Sequence, residues 1–477
     1  MAYDLVVVGT GFASSFFLAE YLARAPRTAR VLVLERGFRD TRAWQLEHRR
    51  TTRLDADATF RRSGSPDKQW TFTLGFGGGS NCWWGCTPRL MPADFALKTH
   101  YGVGEDWPMT YADLEPFYER AEAVMAIAGS DRAPYPRRTL PPQPAHRLSD
   151  PDRLLAAAYP DAYFPQPTAR ARIATGTRPA CCANGVCGLC PIDAKFTIEN
   201  GLAGVYADSR VTLRLGADVT ALDLQAGRVT AVIVKGDHNR DRTAGNERVE
   251  ADLFVLGAGA IFNPTILLRS GLTHARLGRR LFEQVSLMAK IDLDGVDGFQ
   301  GSTVFTANGY MLYDGPHRAR HAACLMESWN RPDELRWESG RERQLLAIKF
   351  IFEDLPDERN GITLDADGMP VLHFEGYSEY ARRGFDAVRS ELDTLLAPLP
   401  VERVAFGPDP LPTEGHILGT VMMGDDPSAS VVDRWMVHHA VRNLVVLGGS
   451  AFPTGSPANP TLTISALALW SADHLFA

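Results

Sequence analysis

The sequence predicts an α/β protein in which a domain with a parallel sheet is interleaved with a second domain built on an antiparallel sheet. Three observations support this prediction: a strand-helix-strand pattern at the start of the chain, a second strand-to-helix crossover at 251–271, and a series of strand patterns between 280 and 405. A chain of 477 residues is long enough to bury the cores of two such domains.

The first 35 residues form the β-α-β unit. Apolar residues at 4–9 and 30–34 predict buried strands, and 14–24 has a helical pattern. Between them, the turn Gly9-Thr-Gly11-Phe12-Ala13-Ser14 has one glycine for a tight turn and a second that lets the backbone approach a pyrophosphate. Glu35 ends the second strand, where a carboxylate accepts hydrogen bonds from a ribose. The unit predicts nucleotide binding; a glycine-rich turn without a ligand is the alternative.

A second glycine-rich segment contains Gly78, Gly79, Ser80, Asn81 and Cys82. Such glycine density lets the backbone lie flat against a planar ligand. Further along, a helix is predicted from the N-cap Thr110 towards Gly129, with Asp113 as its capping-box partner. Residues 130–180 are rich in Pro, Arg and Ala without clear periodicity, and we interpret them as a surface connection.

The second half of the chain changes from helix-linked strands to an antiparallel pattern. Residues 210–235 alternate like two strands joined by a turn, and the strand at 251–256 enters a helix that ends near Gly271. A hairpin turn is predicted at 365–368, and helices at 377–396 and after Pro460. The strands predicted for one antiparallel sheet are 285–293, 322–329, 345–353 and 361–375.

Near the C-terminus, His416 and Asn459 stand 43 positions apart, each in a turn-rich segment ahead of an apolar run. Oxidation of an alcohol by hydride transfer requires the hydroxyl proton to leave, and a neutral imidazole accepts that proton at neutral pH. A neighbouring amide orients the oxygen without competing for the proton. The alternative for His416 is a histidine that holds a turn, and His438 and His439 are expected to cap or flank a surface turn.

In these motifs the chain resembles the glucose-methanol-choline (GMC) flavoprotein oxidoreductases, in the His/Asn branch similar to pyranose oxidase and the iron–sulfur-containing FAD sugar dehydrogenases. The resemblance is strong at residues 4–37, 74–95, 251–271 and 415–475, and weak from 276 to 405. It implies a Rossmann-like FAD-binding domain with an interleaved substrate domain built on an antiparallel sheet (the GMC fold). The implied ranges are 1–95, 200–275 and 415–477 for the FAD domain, 96–199 for a connecting segment, and 276–414 for the substrate domain.

The resemblance also implies a site, with His416 as the base and Asn459 beside it on the substrate hydroxyl. Val219 lies in the stretch that meets the adenine in relatives, and Cys82 stands where some relatives carry a histidine bonded covalently to the flavin. Either a thioether or plain packing is open for Cys82. The usual acidic residue ahead of Ser450 is absent. The implied FAD contacts are Gly9, Gly11, Phe12, Ala13, Ser14, Glu35, Gly78, Gly79, Ser80, Asn81, Cys82, Val219, Ala258, Gly259, Ser450, Pro460 and Thr461.

Four of the seven cysteines fall within ten residues, at Cys181, Cys182, Cys187 and Cys190. A C-x-x-C run that closes on Cys-Pro is typical of iron–sulfur ligands. The resemblance implies a 3Fe-4S or 4Fe-4S cluster held by Cys181, Cys187 and Cys190, with Cys182 as an alternative ligand. The last gap is two residues where the relatives have three. A structural zinc, two local disulfides or a cysteine-rich turn are the alternatives.

Composition limits the partners. A net charge of −7 disfavours nucleic acid, and no apolar run approaches the roughly 20 residues that span a bilayer. The N-terminus has no signal-peptide pattern, so we expect a cytoplasmic protein, or a periplasmic one exported with a partner subunit.

The function predicted from all of this is an FAD-dependent dehydrogenase that oxidises a secondary alcohol, a sugar or glycoside hydroxyl, to a ketone. Its electrons are expected to leave through the iron–sulfur cluster to a cytochrome, another acceptor protein or a quinone, and a small partner subunit is also expected. The first alternative is an oxidase that produces hydrogen peroxide, with structural cysteines. The second is a flavin-bearing electron-transfer subunit of a complex.

Overall fold

The computed structural model describes residues 3–236, 245–407 and 409–477; residues 1, 2, 237–244 and 408 of the predicted domain ranges lie outside it. The helices are α1 (Phe12–Arg24), α2 (Arg42–His48), α3 (Leu97–Tyr101), α4 (Tyr111–Met125), α5 (Asp150–Ala158), α6 (Ile198–Gly201), α7 (Ala203–Tyr206), α8 (Gly259–Arg269), α9 (Glu379–Leu396) and α10 (Thr461–Leu475). The strands are β1 (Tyr3–Val8), β2 (Val31–Glu35), β3 (Arg61–Gly64), β4 (Ala128–Gly129), β5 (Gln143–Pro144), β6 (Tyr163–Pro165), β7 (Val211–Leu215), β8 (Val219–Gln225), β9 (Arg228–Val234), β10 (Glu247–Leu256), β11 (Val285–Leu293), β12 (Phe305–Gly309), β13 (Cys324–Trp329), β14 (Leu345–Phe352), β15 (Gly361–Leu364), β16 (Pro370–Phe374), β17 (Val401–Phe406) and β18 (Leu444–Val446).

The first sheet has seven strands and a parallel centre. β1 lies between β2 and β10, β7 pairs with β2, and β18 pairs with β10, all in parallel. The first half of β10 pairs instead with β9, and β8 follows, both antiparallel. Continuous apolar strands such as β2 suit a sheet buried on both faces, and α1 packs against α10 beside it. This confirms the predicted α/β class.

The second sheet has six antiparallel strands in the order β17-β11-β14-β13-β12-β6. The amphipathic helix α9 supplies buried residues at helical spacing, among them Tyr380, Phe385 and Leu392, to the core that this sheet forms. The last predicted strand, 361–375, was wrong as a member of this sheet. It folds as the hairpin β15–β16, which pairs with β3 in a separate sheet. The Asp365 carboxylate closes that hairpin by accepting from the backbone N–H groups of Asp367 and Met369.

Three further predictions need correction. Helix α1 begins at Phe12, not at residue 14, because Gly11 is its N-cap. Helix α4 has the predicted capping box of Thr110 and Asp113 but ends at Met125, since Ala126 adopts a left-handed conformation with φ of 48°. The interpretation of 130–180 as a surface connection was wrong: the segment contains α5 and β6, and residues 166–171 are buried. The polar residues at 166–171 suggested exposure to solvent, but they form hydrogen bonds inside the protein and are buried.

Candidate active site

One cavity of about 940 Å³ is lined by the carboxyl ends of β1 and β2, the starts of α1 and α8, and residues of β13 and β14. It therefore meets both large sheets. Fourteen of the residues singled out in the sequence lie in its wall: Gly9, Gly11, Phe12, Ala13, Glu35, Gly78, Gly79, Cys82, Val219, Ala258, Gly259, His416, Asn459 and Thr461.

Five of the predicted FAD contacts are not in the wall of this cavity. The Ser14 side chain packs against Gly257, where a Cβ would meet its hydroxyl, and Pro460 is the N-cap of α10. The Ser80 hydroxyl donates to the carbonyl of Gly77, and the Asn81 amide donates to the carbonyls of Phe76 and Gly78. The Ser450 hydroxyl accepts from Asn263. These residues therefore contact the segments that form the wall and do not line the cavity themselves.

The start of α1 is shaped for an anionic ligand. Its N-cap, Gly11, offers no side chain, so the first N–H groups of the helix have no side-chain cap. A Cβ added at Gly11 or at Gly79 would meet nothing within 4 Å, which leaves open space where a ligand can approach the backbone. Gly9 has φ of 95°, and a Cβ there would collide with the Gly257 carbonyl. The geometry fits the phosphates of a dinucleotide such as FAD.

Glu35 stands at the end of β2, in the wall of the same cavity. One of its carboxylate oxygens accepts from the backbone N–H and hydroxyl of Thr10, at 3.1 and 2.8 Å. The other accepts from the backbone N–H of Gly37 at 2.8 Å. The carboxylate is therefore held in place by the turn it faces and has lone pairs left for a ligand hydroxyl.

At the other end of the cavity, His416 is half-buried. Its Nδ1 lies 2.5 Å from Oε1 of Gln284, and its Nε2 has no hydrogen-bond partner among the described residues. Burial lowers the pKa of His416 to about 4, against opposition from the charge of Glu414, so the imidazole is neutral at neutral pH. Asn459 is 6% exposed, and its Oδ1 is buried without a partner. An unpaired amide oxygen in a cavity wall is suited to a ligand hydroxyl.

Three charged side chains surround the histidine. Lys349 Nζ donates to Glu414 at 2.8 Å and lies 3.4 Å from Glu327, so one ammonium group lies at ion-pair distance from two buried carboxylates. Burial alone would raise the pKa of Glu414, but the neighbouring Lys349 outweighs it and the net pKa is lowered. Burial alone would lower the pKa of Lys349, and its two carboxylate partners raise it instead. Glu414 and Lys349 are therefore charged at neutral pH.

Aromatic rings form another part of the wall. The rings of Trp84, Phe305 and Trp329 lie within 4.9–6.1 Å of one another, and all three line the cavity. Trp329 also directs its indole N–H to Glu327 at 3.3 Å. The electron-rich face of an aromatic ring attracts the polarised C–H groups of a hydroxylated ring, and adjacent carboxylates accept from its hydroxyls. This wall is suited to a sugar.

The four clustered cysteines converge on a second, small cavity of about 10 Å³, together with Arg170 and Lys195. They are free thiols, and burial raises the pKa of Cys187 to about 11. Lys195 donates to the carbonyls of Asn81, Trp83 and Gly188, which fastens the cysteine segment to the glycine-rich segment of the large cavity.

The cations near these thiols lack close anionic partners. Arg170 donates to Thr303, to the Gln166 amide and to backbone carbonyls, and Lys195 donates to carbonyls alone. Two guanidinium nitrogens of Arg42, which lies within electrostatic range of Asp193 and Cys190, are buried and unpaired. Throughout the described ranges, none of these three cations has a carboxylate at ion-pair distance. Arg170 and Lys195 therefore act to lower the pKa of Cys187, but burial outweighs them and the net pKa is raised.

The positions of the sulfurs do not match a metal site. Within the part of the chain that the structure describes, no group of three or more His, Cys, Asp or Glu side chains is arranged to hold a metal ion. A cavity of about 10 Å³ has the room of about one water molecule. The predicted iron–sulfur ligands are brought together, but as placed they do not enclose a cluster. Cys82 lies apart from them, in the wall of the large cavity.

Four residues that surround His416 were not predicted from the sequence: Gln284, Glu327, Lys349 and Glu414. Lys349 and Glu327 did leave a signal, because each is the lone charge in an otherwise apolar or uncharged strand. Such residues rarely enter a core without partners or a function. Gln284 and Glu414 left none, since only the folded chain brings them to the histidine.

No helix in the described part of the chain combines the length and apolar character needed to cross a membrane.

Comparisons with known proteins agree with this geometry. The GMC oxidoreductase family models match residues 3–286 and 356–468. The 6'''-hydroxyparomomycin C oxidase of Streptomyces lividus is 31% identical over 518 aligned residues, covering 100% of this chain and 92% of the relative. The fructose dehydrogenase large subunit of Gluconobacter japonicus is 27% identical, covering 100% and 98%. The crystal structure of pyridoxine 4-oxidase from Mesorbium loti superposes with a TM-score of 0.65 at 18% identity, covering 99% of each chain, and supports the fold.

The match extends over the glycine-rich turn and the C-terminal segment with His416 and Asn459, whereas the wall residues Phe305, Glu327, Trp329 and Lys349 lie between the two matched ranges. A cavity with a glycine-rich helix start and a neutral, half-buried histidine in its wall is suited to oxidation of an alcohol by a flavin. The chain belongs to the GMC oxidoreductase family, whose members bind FAD, and is an oxidoreductase that acts on CH–OH donors.

Proposed function

We propose that this enzyme oxidises a secondary hydroxyl of a sugar or glycoside to a ketone. The observation that carries the proposal is the pairing of His416 and Asn459 in one cavity wall, with a free Nε2 on the histidine and an unpaired oxygen on the asparagine. The aromatic rings and buried carboxylates beside them suit a hydroxylated ring. The names of the two relatives, 6'''-hydroxyparomomycin C oxidase and fructose dehydrogenase large subunit, support the same substrate class.

The cavity would hold FAD with the phosphates at the start of α1 and the ribose near Glu35. When bound, FAD supplies the hydride acceptor. His416 accepts the hydroxyl proton at Nε2, because Nδ1 is engaged by Gln284 and the ring is neutral above its pKa of about 4. The Asn459 NH₂ group would donate to the hydroxyl oxygen without competing for its proton, while its unpaired Oδ1 would accept from a neighbouring hydroxyl. Glu414 stabilises the imidazolium that forms.

The test is to mix the flavin-loaded enzyme, without oxygen, with a panel of sugars, amino sugars and simple secondary alcohols. We expect sugars or glycosides to reduce the flavin of the wild-type enzyme, which is seen as bleaching of its visible absorbance. With the same substrates, the flavin of His416→Ala should stay oxidised. Bleaching by simple alcohols but by no sugar would reject the substrate class, and bleaching of His416→Ala at the normal rate would reject the base.

We propose that the electrons then pass to an external acceptor, a protein or a quinone, as in a dehydrogenase. The alternative is direct transfer to oxygen. The names of the two relatives do not decide between these, because one is an oxidase and the other a dehydrogenase. Hydrogen peroxide formation, compared with reduction of an artificial one-electron acceptor, separates the two. The name "large subunit" of one relative supports the further proposal of a smaller partner, and a cytoplasmic or periplasmic location remains a prediction.

The predicted iron–sulfur cluster belongs to the same proposal. Its support is the convergence of Cys181, Cys187 and Cys190 beside cations without anionic partners. Among the described residues these thiols are not arranged as a metal-binding group, so we assign no step of the reaction to a cluster. Iron and acid-labile sulfide per flavin, in protein purified without oxygen, is the test. About three or four irons would establish the cluster, and none would make the cysteines a structural feature.

A further inference from the structure

The side chain of Gln284 contacts the candidate base but has not yet been given a role. Gln284 is the last residue before β11 and is 2% exposed. Its Nε2 donates to the carbonyl oxygens of Ser456 and of Ala458, the latter at 2.6 Å. Its Oε1 faces Nδ1 of His416 at 2.5 Å. One amide therefore contacts the histidine and the backbone immediately before Asn459.

These contacts fix the orientation of the amide. Carbonyl oxygens only accept hydrogen bonds, so the atom of Gln284 that faces the two carbonyls must be its NH₂ group. The atom that faces His416 is then the amide oxygen, which also only accepts. His416 must therefore carry its proton on Nδ1, which leaves Nε2 with a free lone pair.

We propose that Gln284 is a positioning residue that holds His416 in the Nδ1–H tautomer and sets its distance from Asn459. This inference rests on the proposed role of His416 as the base, because only an unprotonated Nε2 can accept the substrate proton. If the ring carried its proton on Nε2 instead, the atom facing the substrate would be a donor and the reaction would stop.

Other charged groups face the same ring, so the test must separate their effect from that of Gln284. Glu414 lies two residues earlier on the same segment, Lys349 faces it from β14, and Glu327 from β13. Among the described residues, none of these three charged side chains forms a hydrogen bond with His416. The tautomer is therefore set by Gln284, whereas these groups act on the ring through their charge.

The principal variant is Gln284→Met, which keeps the volume and removes both halves of the amide. We expect kcat for flavin reduction to fall at least tenfold, with KM changed by less than about threefold, because the substrate still binds while a fraction of the histidine has the wrong tautomer. The variant Gln284→Glu keeps an acceptor for Nδ1–H and adds a negative charge. It should retain more activity than Gln284→Met and move the acid limb of the pH profile to higher pH.

A direct readout does not depend on turnover. In protein with ¹⁵N-labelled histidine, assigned by comparison with His416→Gln, we expect His416 in the Nδ1–H form in wild type and a mixture of tautomers in Gln284→Met. Gln143→Met is the matched control, because Gln143 is also buried but holds the backbone N–H groups of Arg172 and Ile173. It should change neither the spectrum of His416 nor kcat.

Flavin content and melting temperature are measured for each variant. A variant that retains flavin and shows the wild-type kcat, pH profile and tautomer would overturn the inference. So would an Nε2–H signal for His416 in wild type. If the tautomer behaves as expected but no alcohol reduces the flavin, the positioning role holds and the proposed reaction fails. If Gln284→Met loses its flavin, the ¹⁵N spectrum of Gln284→Glu decides the tautomer.

Discussion

The group around His416 and the group around the clustered cysteines are both polar and both buried, but they differ in how their charges are matched. Around His416, Lys349 lies at ion-pair distance from two carboxylates, and the unpaired atom of Asn459 lies in the cavity wall. Around the cysteines, Arg170 and Lys195 donate to neutral groups, with no carboxylate at ion-pair distance in the described ranges.

This difference teaches that buried charges are accommodated in two ways: by opposite charges, as around His416, or by neutral hydrogen-bond acceptors, as around the cysteines. A buried charge without a counter-charge is costly, and the hydroxyl and carbonyl groups that accept from Arg170 and Lys195 offset part of that cost. The two groups are also connected. Gln166 donates to Glu327 at 2.7 Å and accepts from Arg170 at 2.8 Å, and Arg170 donates to Thr303, which contacts Cys181.

The largest expected effect is on the chemical step at the histidine end. Replacing His416 with Ala should lower the rate of flavin reduction by about 10²–10⁴-fold, because the proton acceptor is lost. Stopped-flow reduction without oxygen measures this, and unchanged flavin content shows that the fold is intact. Loss of less than about tenfold would mean that the proton leaves by another route and that the histidine end is not the reaction centre.

The second effect concerns the matching of charges. Lys349→Met should cost about 3–5 kcal/mol in the free energy of unfolding, because it leaves Glu327 and Glu414 buried without a cation. Urea unfolding measures it. Lys290→Met is the control, since Lys290 is half exposed in its pair with Glu334 and should contribute less than about 1 kcal/mol. Equal effects in the two variants would remove the contrast on which the comparison rests.

The third effect is acid destabilisation on the cysteine side. His146 is 3% exposed, contacts the Arg170 carbonyl through Nε2 at 2.9 Å, and burial lowers its pKa from 6.5 to about 4. Between pH 6.5 and 4 the unfolded chain binds this proton and the folded chain does not, so stability falls as the pH falls. His146→Gln should reduce that loss by about 2–3 kcal/mol in urea unfolding at pH 4. An unchanged pH dependence would contradict the neutral state of His146.

The smallest effect should come from the cysteines. Neither Cys187 nor Cys190 lines the large cavity, so replacing both with Ser should change the rate of flavin reduction by less than about twofold. Transfer from reduced flavin to an external one-electron acceptor is then measured in the same variant, with Cys324→Ser, a free thiol that lines neither cavity, as the control. A fall confined to the second step would show that the cysteine group carries electrons, and a fall in the first would show that the two groups are not separable.

Much of the fold could be predicted from local patterns. The turn at Gly9 and Gly11, the crossover into α8 and the capping box at Thr110 are local in sequence, and each formed close to its predicted position. The hairpin turn at 365–368 was also local, but the partner of its strands was not. β16 pairs with β3, some 300 residues earlier in the chain, and no periodicity within 361–375 contains that information.

For the site, the sequence by itself determined the residue types that face the cavity: glycines where backbone approaches a ligand, and His416 and Asn459 in turns that carry their side chains inward. Only the tertiary structure decided their chemical states. The tautomer of His416 depends on Gln284, its neutrality on burial, and the charge balance on Lys349, which arrive from separate strands and loops. Protonation depends on the whole surrounding field and solvent exclusion, and these exist only once the chain has folded.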